Sequence, residues 1–321
     1  MTAQVSGIHH ITAICGNPQR NLDFYVGVLG IRLVKKTVNF DDPGTYHLYY
    51  GDETGSPGSL VTFFPWQDMP AGIPGMGEAT TIAFAIPLTS FEYWIKRFDR
   101  FDIQYQEQVR LRGTEKALLF RDPDGIQLEL VGVHGLEDHR NWNDSPVPDE
   151  CSIRKLHSVA LTLEEVTPTV ELLTQSLGFR EADEEEKRKR YECGPGGAST
   201  IVDLIFEPLA KSGRMGKGSI HHVAFRTSDK ESQLLMKEKL LAHRLQITDV
   251  IDRDYFHSVY FREPGGTLLE VATDSPGFTR DEPLEELGSK LKLPEQYKDQ
   301  EKRILEMLPE LKDIETEVYR D

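Results

Sequence analysis

The sequence predicts an α+β fold in which a small βαβββ module occurs four times, in two domains of curved mixed sheets, before a helical C-terminal tail. Three observations support this prediction: a hairpin that occurs twice, an equal spacing between matched segments, and two further helices that each end at a glycine. The 321 residues are 38% hydrophobic and 28% charged. This composition is typical of a globular chain that buries sizeable cores.

Two ten-residue segments share the pattern of strand, tight turn and strand. They are 120–129 (FRDPDGIQLE) and 261–270 (FREPGGTLLE), and their Asp-Gly and Gly-Gly pairs favour tight turns because they tolerate positive φ. Upstream, the run TIAF at Thr81 resembles HVAF at His222. In both cases 48 positions separate this first residue from the glutamate that ends the hairpin. Equal spacing indicates one structural unit used twice.

Two further units each begin with a strand and continue into a helix that a glycine ends. These helices are predicted at 21–29, before Gly30, and at 166–177, before Gly178. Glycine after the last apolar turn is a frequent helix stop. The modules therefore start near residues 7, 78, 154 and 219.

A linker rich in proline and aspartate, 143–150, separates the first pair of modules from the second. We therefore predict an N-terminal domain at 1–150 with modules one and two, and a C-terminal domain at 151–275 with modules three and four. The C-terminal helical tail is predicted at 276–321. Its apolar residues within 304–311 recur at helical spacing, so we expect helices that pack across the body.

Charge and composition exclude several classes of partner. The formal net charge of −16 repels nucleic acid, so we expect no nucleic-acid partner. No apolar run approaches the roughly 18 residues that cross a bilayer, and the N-terminus lacks a signal-peptide pattern, so we expect a cytoplasmic protein with no membrane partner. Three cysteines at long spacings argue against a disulfide framework. Monomer and homo-oligomer both remain open.

The repeat predicts where a metal site would lie, because the first and last strands of a βαβββ module are neighbours and two paired modules enclose a cleft. Alignment assigns these positions to His10, Thr81, His157 and His222 on first strands, to Phe63, Glu129 and Glu270 on last strands, and to Ile201 or Asp203 in module three. Only module four offers both a histidine and a glutamate. The third ligand is His10 or His157, and sequence adjacency favours His157. Glu129 has no histidine in its module and is interpreted as structural.

With module one as the partner, the ligand set is His10, His222 and Glu270, and Phe63 cannot coordinate. A single buried histidine at the start of a strand is usually structural. Two histidines in matching positions, one of them 48 residues before a glutamate, favour a metal site instead. Two imidazoles and one carboxylate on one face of an ion leave about three open positions, as in non-haem Fe(II) oxygenases.

The chain resembles the vicinal oxygen chelate (glyoxalase/bleomycin resistance/extradiol dioxygenase) superfamily, and within it the ring-cleaving hydroquinone dioxygenases. The resemblance covers nearly the whole length and is most specific at 7–12 (GIHHIT), 220–225 (IHHVAF) and 253–278. It implies the vicinal oxygen chelate fold and an Fe(II) site, with Mn(II) as the alternative metal, formed by modules one and four. The ligands that it implies are His10, His222 and Glu270.

The resemblance also implies catalytic polar residues around the metal: His9, Thr12, His221, Arg253 and Tyr260. Arg253 would hold an anionic phenolate or developing negative charge, and Tyr260 and the two histidines would move protons. The alternatives are a core position for Tyr260 and a surface ion pair of Arg253 with Asp252 or Asp254. His257 is either a further proton donor or a solvent-facing residue.

The function that the resemblance implies is an Fe(II)-dependent extradiol-type ring-cleaving dioxygenase. This non-haem iron oxidoreductase would act on a small aromatic substrate, a hydroquinone or catechol, together with O₂. One alternative is a metal-dependent glyoxalase-like isomerase or thiol transferase, which usually carries a second carboxylate where alignment places Phe63. The other is a non-enzymatic binding or resistance protein, and such relatives generally lack the metal ligands.

Overall fold

The computed structural model describes residues 4–111, 114–136 and 141–320, and within them the chain forms sixteen β-strands. Module one contains β1 (Ile8–Cys15), β2 (Arg32–Val38), β3 (Tyr46–Gly51) and β4 (Leu60–Pro65). Module two contains β5 (Glu78–Pro87), β6 (Tyr105–Arg110), β7 (Glu115–Arg121) and β8 (Gln127–Val133). Module three contains β9 (Lys155–Leu163), β10 (Arg180–Glu185), β11 (Arg188–Glu192) and β12 (Ile201–Phe206). Module four contains β13 (Ile220–Thr227), β14 (Ile251–Asp252), β15 (His257–Arg262) and β16 (Leu268–Thr273).

Each module has one helix between its first and second strands, as the βαβββ pattern predicts. The helices are α1 (Pro18–Leu22), α2 (Phe91–Arg100), α3 (Thr167–Glu171) and α4 (Lys230–Ala242). The first and third continue as π-helical turns at Asp23–Val28 and Leu172–Leu177. Gly30 and Gly178 follow these turns with φ of 71° and 87°, a backbone conformation that glycine adopts without a Cβ clash. Both predicted helix stops are confirmed.

The strands form two eight-stranded mixed sheets, which confirms the predicted fold class. The first sheet has the order β14-β15-β16-β13-β1-β4-β3-β2, so it joins modules one and four. The second sheet has the order β10-β11-β12-β9-β5-β8-β7-β6, so it joins modules two and three. At the centre of each sheet the first strands of two modules run antiparallel, and each pairs in parallel with the last strand of its own module.

The sheets divide the chain differently from the predicted sequence domains. Each of the segments 1–150 and 151–275 contributes four strands to the first sheet and four to the second. The division into domains at 1–150 and 151–275 stays a prediction. Within the predicted segments, residues 1–3, 112–113, 137–140 and 321 lie outside the described residues.

One large hydrophobic cluster links the helices to both sheets and includes buried aromatic residues such as Phe63, Phe84, Trp94 and Phe225. Burial of one such side chain stabilises the fold by about 1.5–3 kcal/mol. A smaller cluster containing Tyr49, Phe256 and Phe278 lies on the first sheet. Because packed cores deform little, these clusters give the sheets a fixed frame for the side chains of a site.

The tail contains one short helix, α5 (Glu301–Met307), and four 3₁₀ turns. The turns are Phe278–Arg280, Leu284–Glu286, Glu295–Gln300 and Thr316–Tyr319. It packs on module one, where Tyr297 Oη donates to the carbonyl of Phe40 at 2.6 Å and Tyr46 Oη donates to the carbonyl of Pro309 at 3.0 Å. In the described ranges, no helix has both the length and the apolar composition that crossing a bilayer requires.

Candidate metal centre

Three side chains meet near the middle of the first sheet because of the strand register. Thr12 on β1 lies opposite His222 on β13, and Ala224 lies opposite Glu270 on β16. Residues two apart on a strand share a face, so His10, His222 and Glu270 project from the same face. All three are buried.

The three donor atoms form a compact triangle. The Nε2 atoms of His10 and His222 are 3.2 Å apart, and they lie 3.4 Å and 3.0 Å from Oε2 of Glu270. That oxygen is buried, and neither imidazole is aligned to donate a hydrogen bond to it. Donors about 2.1 Å from one ion and at right angles to each other lie about 3.0 Å apart. The triangle therefore fits a divalent cation.

Neighbouring side chains fix the orientation of the three candidate ligands. The Nδ1 atoms of His9 and His10 are 2.9 Å apart, and those of His221 and His222 are 2.8 Å apart. Burial lowers the pKa of His221 to about 3 and that of His9 well below its usual range, so both imidazoles are neutral. Each can therefore accept a hydrogen bond from the Nδ1–H of the histidine that follows it, His222 or His10. A metal-binding histidine commonly engages its second ring nitrogen in this way, which leaves Nε2 for the ion.

Glu270 is a carboxylate held as an anion. Burial by itself would raise its pKa, but His10 and His222 outweigh that effect and hold the pKa of Glu270 well below its usual range. Ser258 Oγ donates to the other carboxylate oxygen, Oε1. The contact leaves Oε2 facing the two imidazoles.

Two residues of the triad, His10 and His222, line a cleft of about 360 Å³, near the lower limit of typical small-molecule sites, and Glu270 is buried beside them. Six of its seventeen lining residues are phenylalanine, tyrosine or tryptophan: Phe40, Tyr49, Phe64, Trp66, Phe256 and Tyr260. Asp41 and Asp42 are the acidic residues of the lining. A pocket of this size and character suits one aromatic ring.

Arg253 and Tyr260 both line the cleft beside the triad. The Nε of Arg253 donates to Tyr260 Oη at 3.4 Å, and its guanidinium lies 3.6 Å from the carboxylate of Asp41. The ion-pair partner is therefore Asp41 and not one of the two aspartates next to Arg253 in sequence. Burial raises the pKa of Tyr260 above its usual range, so the hydroxyl is protonated at neutral pH.

The other predicted site residues occupy different places. His221 lines the cleft, whereas His9 lies behind His10 with its ring centroid 5.0 Å from that of Phe256. Thr12 is fully buried, and its Oγ1 lies 2.8 Å from that of Thr62. His257 lies outside the cleft lining and faces the carboxylate of Asp252 at 3.5 Å.

Sequence reasoning missed several polar residues of this region, above all His47 and Tyr49. Both line the cleft, and Tyr49 lies opposite Thr62 in the hairpin β3–β4, just as Tyr260 lies opposite Glu270 in β15–β16. Alignment of the β3–β4 and β15–β16 hairpins would have identified Tyr49 if the register of β3–β4 had been predicted correctly.

The position in module one that matches Glu270 is Thr62, so the prediction of Phe63 was wrong by one residue. Thr62 pairs with Thr12 as Glu270 pairs with Ala224. A slip of one residue reverses the face of the sheet, and Phe63 indeed points into the core, 4.6 Å from the ring of Tyr25.

The second sheet places different residues at the equivalent positions. They are Thr81, Glu129, Ser158 and Asp203. Of the two candidates in module three, Ile201 and Asp203, Asp203 is the one that occupies this position. His157 lies at a register shift beside Ser158, with Nε2 3.7 Å from Glu115, and does not approach the triad.

Two of these residues, Glu129 and Asp203, belong to a cluster of mostly buried ion pairs, which we call the charge cluster. Its members are Arg110, Glu115, Glu129, Arg188, Arg190 and Asp203. Arg110 donates to both carboxylate oxygens of Glu129 at 2.6 Å each, in agreement with the structural interpretation of that glutamate.

Comparison with known proteins agrees with this geometry. The model of the Glyoxalase/Bleomycin resistance protein/Dioxygenase superfamily matches residues 7–130 and 155–271. The Bacillus subtilis protein MhqO, to which ring cleavage by a dioxygenase is attributed, is 42% identical over 92% of this chain and 94% of its own. The chlorohydroquinone/hydroquinone 1,2-dioxygenase of Sphingobium indicum is 33% identical over 90% of this chain and 92% of its own.

A crystal structure leads to the same assignment. It is that of a Bacillus subtilis protein to which dioxygenase activity is attributed, and it matches with a TM-score of 0.92 and 41% identity, covering 96% of this chain and 98% of that one. The resemblance seen in the two His-His segments is thereby confirmed, and the chain belongs to the glyoxalase/bleomycin resistance protein/dioxygenase superfamily.

Proposed function

We propose that this protein is an Fe(II)-dependent extradiol-type ring-cleaving dioxygenase that acts on a hydroquinone or catechol with O₂. The observation that carries the proposal is the convergence of His10, His222 and Glu270, with donor atoms 3.0–3.4 Å apart, beside a cleft that the two histidines and several aromatic residues line. Relatives named for ring cleavage and for hydroquinone match over at least 90% of the chain and support the substrate class. Mn(II) is the alternative metal, and the proposed location is the cytoplasm.

The chain would hold the ion with two imidazoles and one carboxylate. Bound Fe(II) would supply adjacent open positions for a substrate hydroxyl and O₂ and let electron density pass between them. Glu270 offsets part of the charge of a divalent cation. In the described part of the chain, no lysine or arginine lies within 4.0 Å of that carboxylate to compete with the ion.

The aromatic walls would orient the substrate ring and exclude water. Phe64 and Trp66 lie with ring centroids 5.2 Å apart on one side, and Phe256 lies 5.0 Å from the ring of His10 on another. Aromatic rings prefer offset or edge-to-face contacts at such distances, which favours a flat ring as ligand.

Arg253 and Tyr260 would act on the oxygen atoms of the substrate. The planar guanidinium of Arg253 lies 5.4 Å from the ring centroid of Tyr260 and offers several donors to an anionic phenolate. The Tyr260 hydroxyl, protonated at neutral pH, would donate a proton or a hydrogen bond to a substrate oxygen and accept it back. His221 lines the same cleft as a neutral imidazole.

The two alternatives find less support in the geometry. An isomerase or thiol transferase of this superfamily usually has a second carboxylate in the position that Thr62 occupies. The acids of the cleft lining, Asp41 and Asp42, are not among the candidate ligands. A binding protein without a metal would not need the buried, unbonded Oε2 of Glu270.

The experiment that tests the proposal is anaerobic purification with ferrous salt, metal analysis, and oxygen uptake on a panel of hydroquinones and catechols. We expect about one O₂ consumed per ring cleaved, with both atoms of ¹⁸O₂ in the product. Aerobic storage should inactivate the enzyme, and ascorbate with ferrous salt should restore it. Activity that ignores oxygen and is fully supported by Zn(II) would identify an isomerase or transferase instead.

A further inference from the structure

A chain of four hydrogen-bonded side chains leads from the interior of β1 to the wall of the cleft. Thr12 Oγ1 lies 2.8 Å from Thr62 Oγ1, which lies 2.9 Å from Nε2 of His47. The other ring nitrogen of His47, Nδ1, lies 2.8 Å from Oη of Tyr49. All four side chains are buried, and His47 and Tyr49 also line the cleft.

Packing and hydrogen bonds together hold the imidazole of His47 in one orientation. Its ring centroid lies 4.0 Å from that of Tyr49 and 4.4 Å from that of Phe64. A neutral imidazole has one N–H, so it donates either to Tyr49 or to Thr62. In the first case the Tyr49 O–H is left as a donor, and in the second the Tyr49 oxygen is left as an acceptor.

In either case the Tyr49 hydroxyl has bonding capacity to spare. Among the described residues, the Tyr49 hydroxyl has one hydrogen-bond partner, His47. Burial raises the pKa of Tyr49 well above its usual range, so the group is a neutral hydroxyl. A buried polar group with an unused donor or acceptor beside a cleft is a candidate ligand contact.

Tyr49 and Tyr260 occupy matching positions in modules one and four, so they face the cleft from the two halves of the first sheet. Tyr260 lies beside the cationic Arg253, whereas Tyr49 lies beside the neutral His47. The two halves therefore differ in charge. One suits an anionic oxygen and the other suits a neutral hydroxyl.

We infer that Tyr49, oriented by His47 and Thr62, binds the second hydroxyl of the substrate ring, the one that does not go to the metal. This inference rests on the proposed function, in which the substrate is a dihydroxybenzene. Tyr49 is then the residue that distinguishes dihydroxy from monohydroxy rings. His47, Thr62 and Thr12 are positioning residues, since this row of hydrogen bonds ends at Thr12, which is fully buried and does not lead to solvent.

The test is anaerobic equilibrium binding of hydroquinone and of phenol to the Fe(II) holoenzyme. Tyr49→Phe should weaken hydroquinone binding about 5- to 10-fold, the effect of one lost hydrogen bond, and leave phenol binding unchanged. Tyr50→Phe is the matched control, because the next hydroxyl along β3 donates to Asn21 Oδ1 at 2.9 Å and does not line the cleft. It should change neither dissociation constant.

A second pair of variants separates positioning from folding. Thr62→Val removes the anchor of His47 and should lower the preference for hydroquinone over phenol, while Thr62→Ser keeps a hydroxyl and should retain it. Equal weakening of both ligands in Tyr49→Phe, or no weakening of either, overturns the inference. Failure of the wild type to cleave hydroquinone with O₂ would overturn the proposed function, and the ratio of the two dissociation constants would still judge Tyr49.

Discussion

Glu270 in the first sheet and Glu129 in the second occupy the same position in their modules, and both are buried. Glu129 receives two hydrogen bonds from the guanidinium of Arg110. Glu270 instead meets two imidazole nitrogens and the hydroxyl of Ser258, with no lysine or arginine within 4.0 Å in the described ranges. A buried carboxylate without a cation is costly. Glu129 has a cationic partner in Arg110, whereas Glu270 has no lysine or arginine partner among the described residues, so a metal ion at Glu270 would supply the missing positive charge.

The rest of each site follows the same division. The charge cluster has three arginines and three carboxylates, so it is electrically balanced without a ligand. Burial alone would raise the pKa of Glu115, but His157, Arg190 and Arg110 outweigh it and lower the pKa to about 2. One repeated scaffold thus holds a closed ion-pair network in the second sheet and an open candidate metal site in the first.

The largest expected effect comes from neutralising the two matched glutamates. Glu270→Gln should lose stoichiometric iron and turnover, with metal affinity reduced by more than about 100-fold, since even residues behind a ligand contribute about 10- to 100-fold. Glu129→Gln should keep both, because Glu129 binds Arg110 in the second sheet and is not a candidate metal ligand. Iron per chain after anaerobic purification, together with oxygen uptake, measures the difference.

The two histidines that the sequence left as alternative ligands, His10 and His157, should differ in the same way as the two glutamates. His10→Ala should empty the site, whereas His157→Ala should leave the iron content nearly intact. The reverse result would place the metal between modules three and four and contradict the assignment.

Tyr260 in the first sheet and Arg190 in the second are also matched, because each lies opposite an acidic residue across its hairpin. Tyr260→Phe removes one hydroxyl that lines the cleft, so turnover should fall by about 10²- to 10⁴-fold if that group transfers a proton. Iron content should stay near that of the wild type, because Tyr260 is not a ligand. Steady-state kinetics with unchanged kcat would return Tyr260 to a purely structural role.

Arg190→Met should act on stability rather than on turnover. It removes one of the two arginine partners of each of the buried carboxylates of Asp203 and Glu115, so the free energy of unfolding should fall by about 3–5 kcal/mol. Arg180→Met, which breaks an exposed pair with Glu192 in the same sheet, should cost about 0–1 kcal/mol. Urea unfolding of both variants tests this. Equal losses would show that the charge cluster is no more important than a surface pair.

The pH dependence of stability should also depend on the second sheet. Burial lowers the pKa of His157 from 6.5 to about 4, so the folded protein keeps it neutral. Between pH 6.5 and 4 the unfolded chain takes up a proton that the folded chain does not, so acid lowers the free energy of unfolding. The loss from this group is on the order of 3 kcal/mol. In metal-free protein, His157→Gln should show a smaller decrease from pH 7 to pH 4.5, and an unchanged decrease would contradict the account.

The smallest effect is expected for Arg253→Lys. Lysine keeps the charge but lacks the planar set of donors that also contacts Tyr260, so KM or the dissociation constant of the substrate should rise by about 10-fold without loss of iron. Loss of iron in this variant would show that Arg253 supports the metal rather than the substrate.

Much of the fold was predictable because the signals are local. The hairpins at 120–129 and 261–270 form where the Asp-Gly and Gly-Gly turns predict them, with positive φ at Gly125 and Gly266. Within module four, the spacing of His222 and Glu270 placed both in one site. The sequence pattern alone left His10 and His157 as alternatives, because pairing between modules is a long-range property that a repeat does not encode.

The remaining errors have a common physical origin in strand register. Thr62 and Phe63 are adjacent, and only the pairing of β4 with β1 shows which of them faces the cleft. In module three a register shift at His157 moves Ser158 into the matching position. The apolar spacing of the tail predicted helices that pack across the body, and the tail forms one short helix and four 3₁₀ turns, with hydrogen bonds to module one.

One ion should bind in the first sheet and none in the second. The most direct measurement is anomalous scattering at the iron absorption edge, from crystals grown anaerobically with ferrous salt. We expect one peak per chain, between His10, His222 and Glu270, and no peak between Glu129 and Asp203. A peak in the charge cluster, or none at the triad in crystals that contain iron, would contradict it.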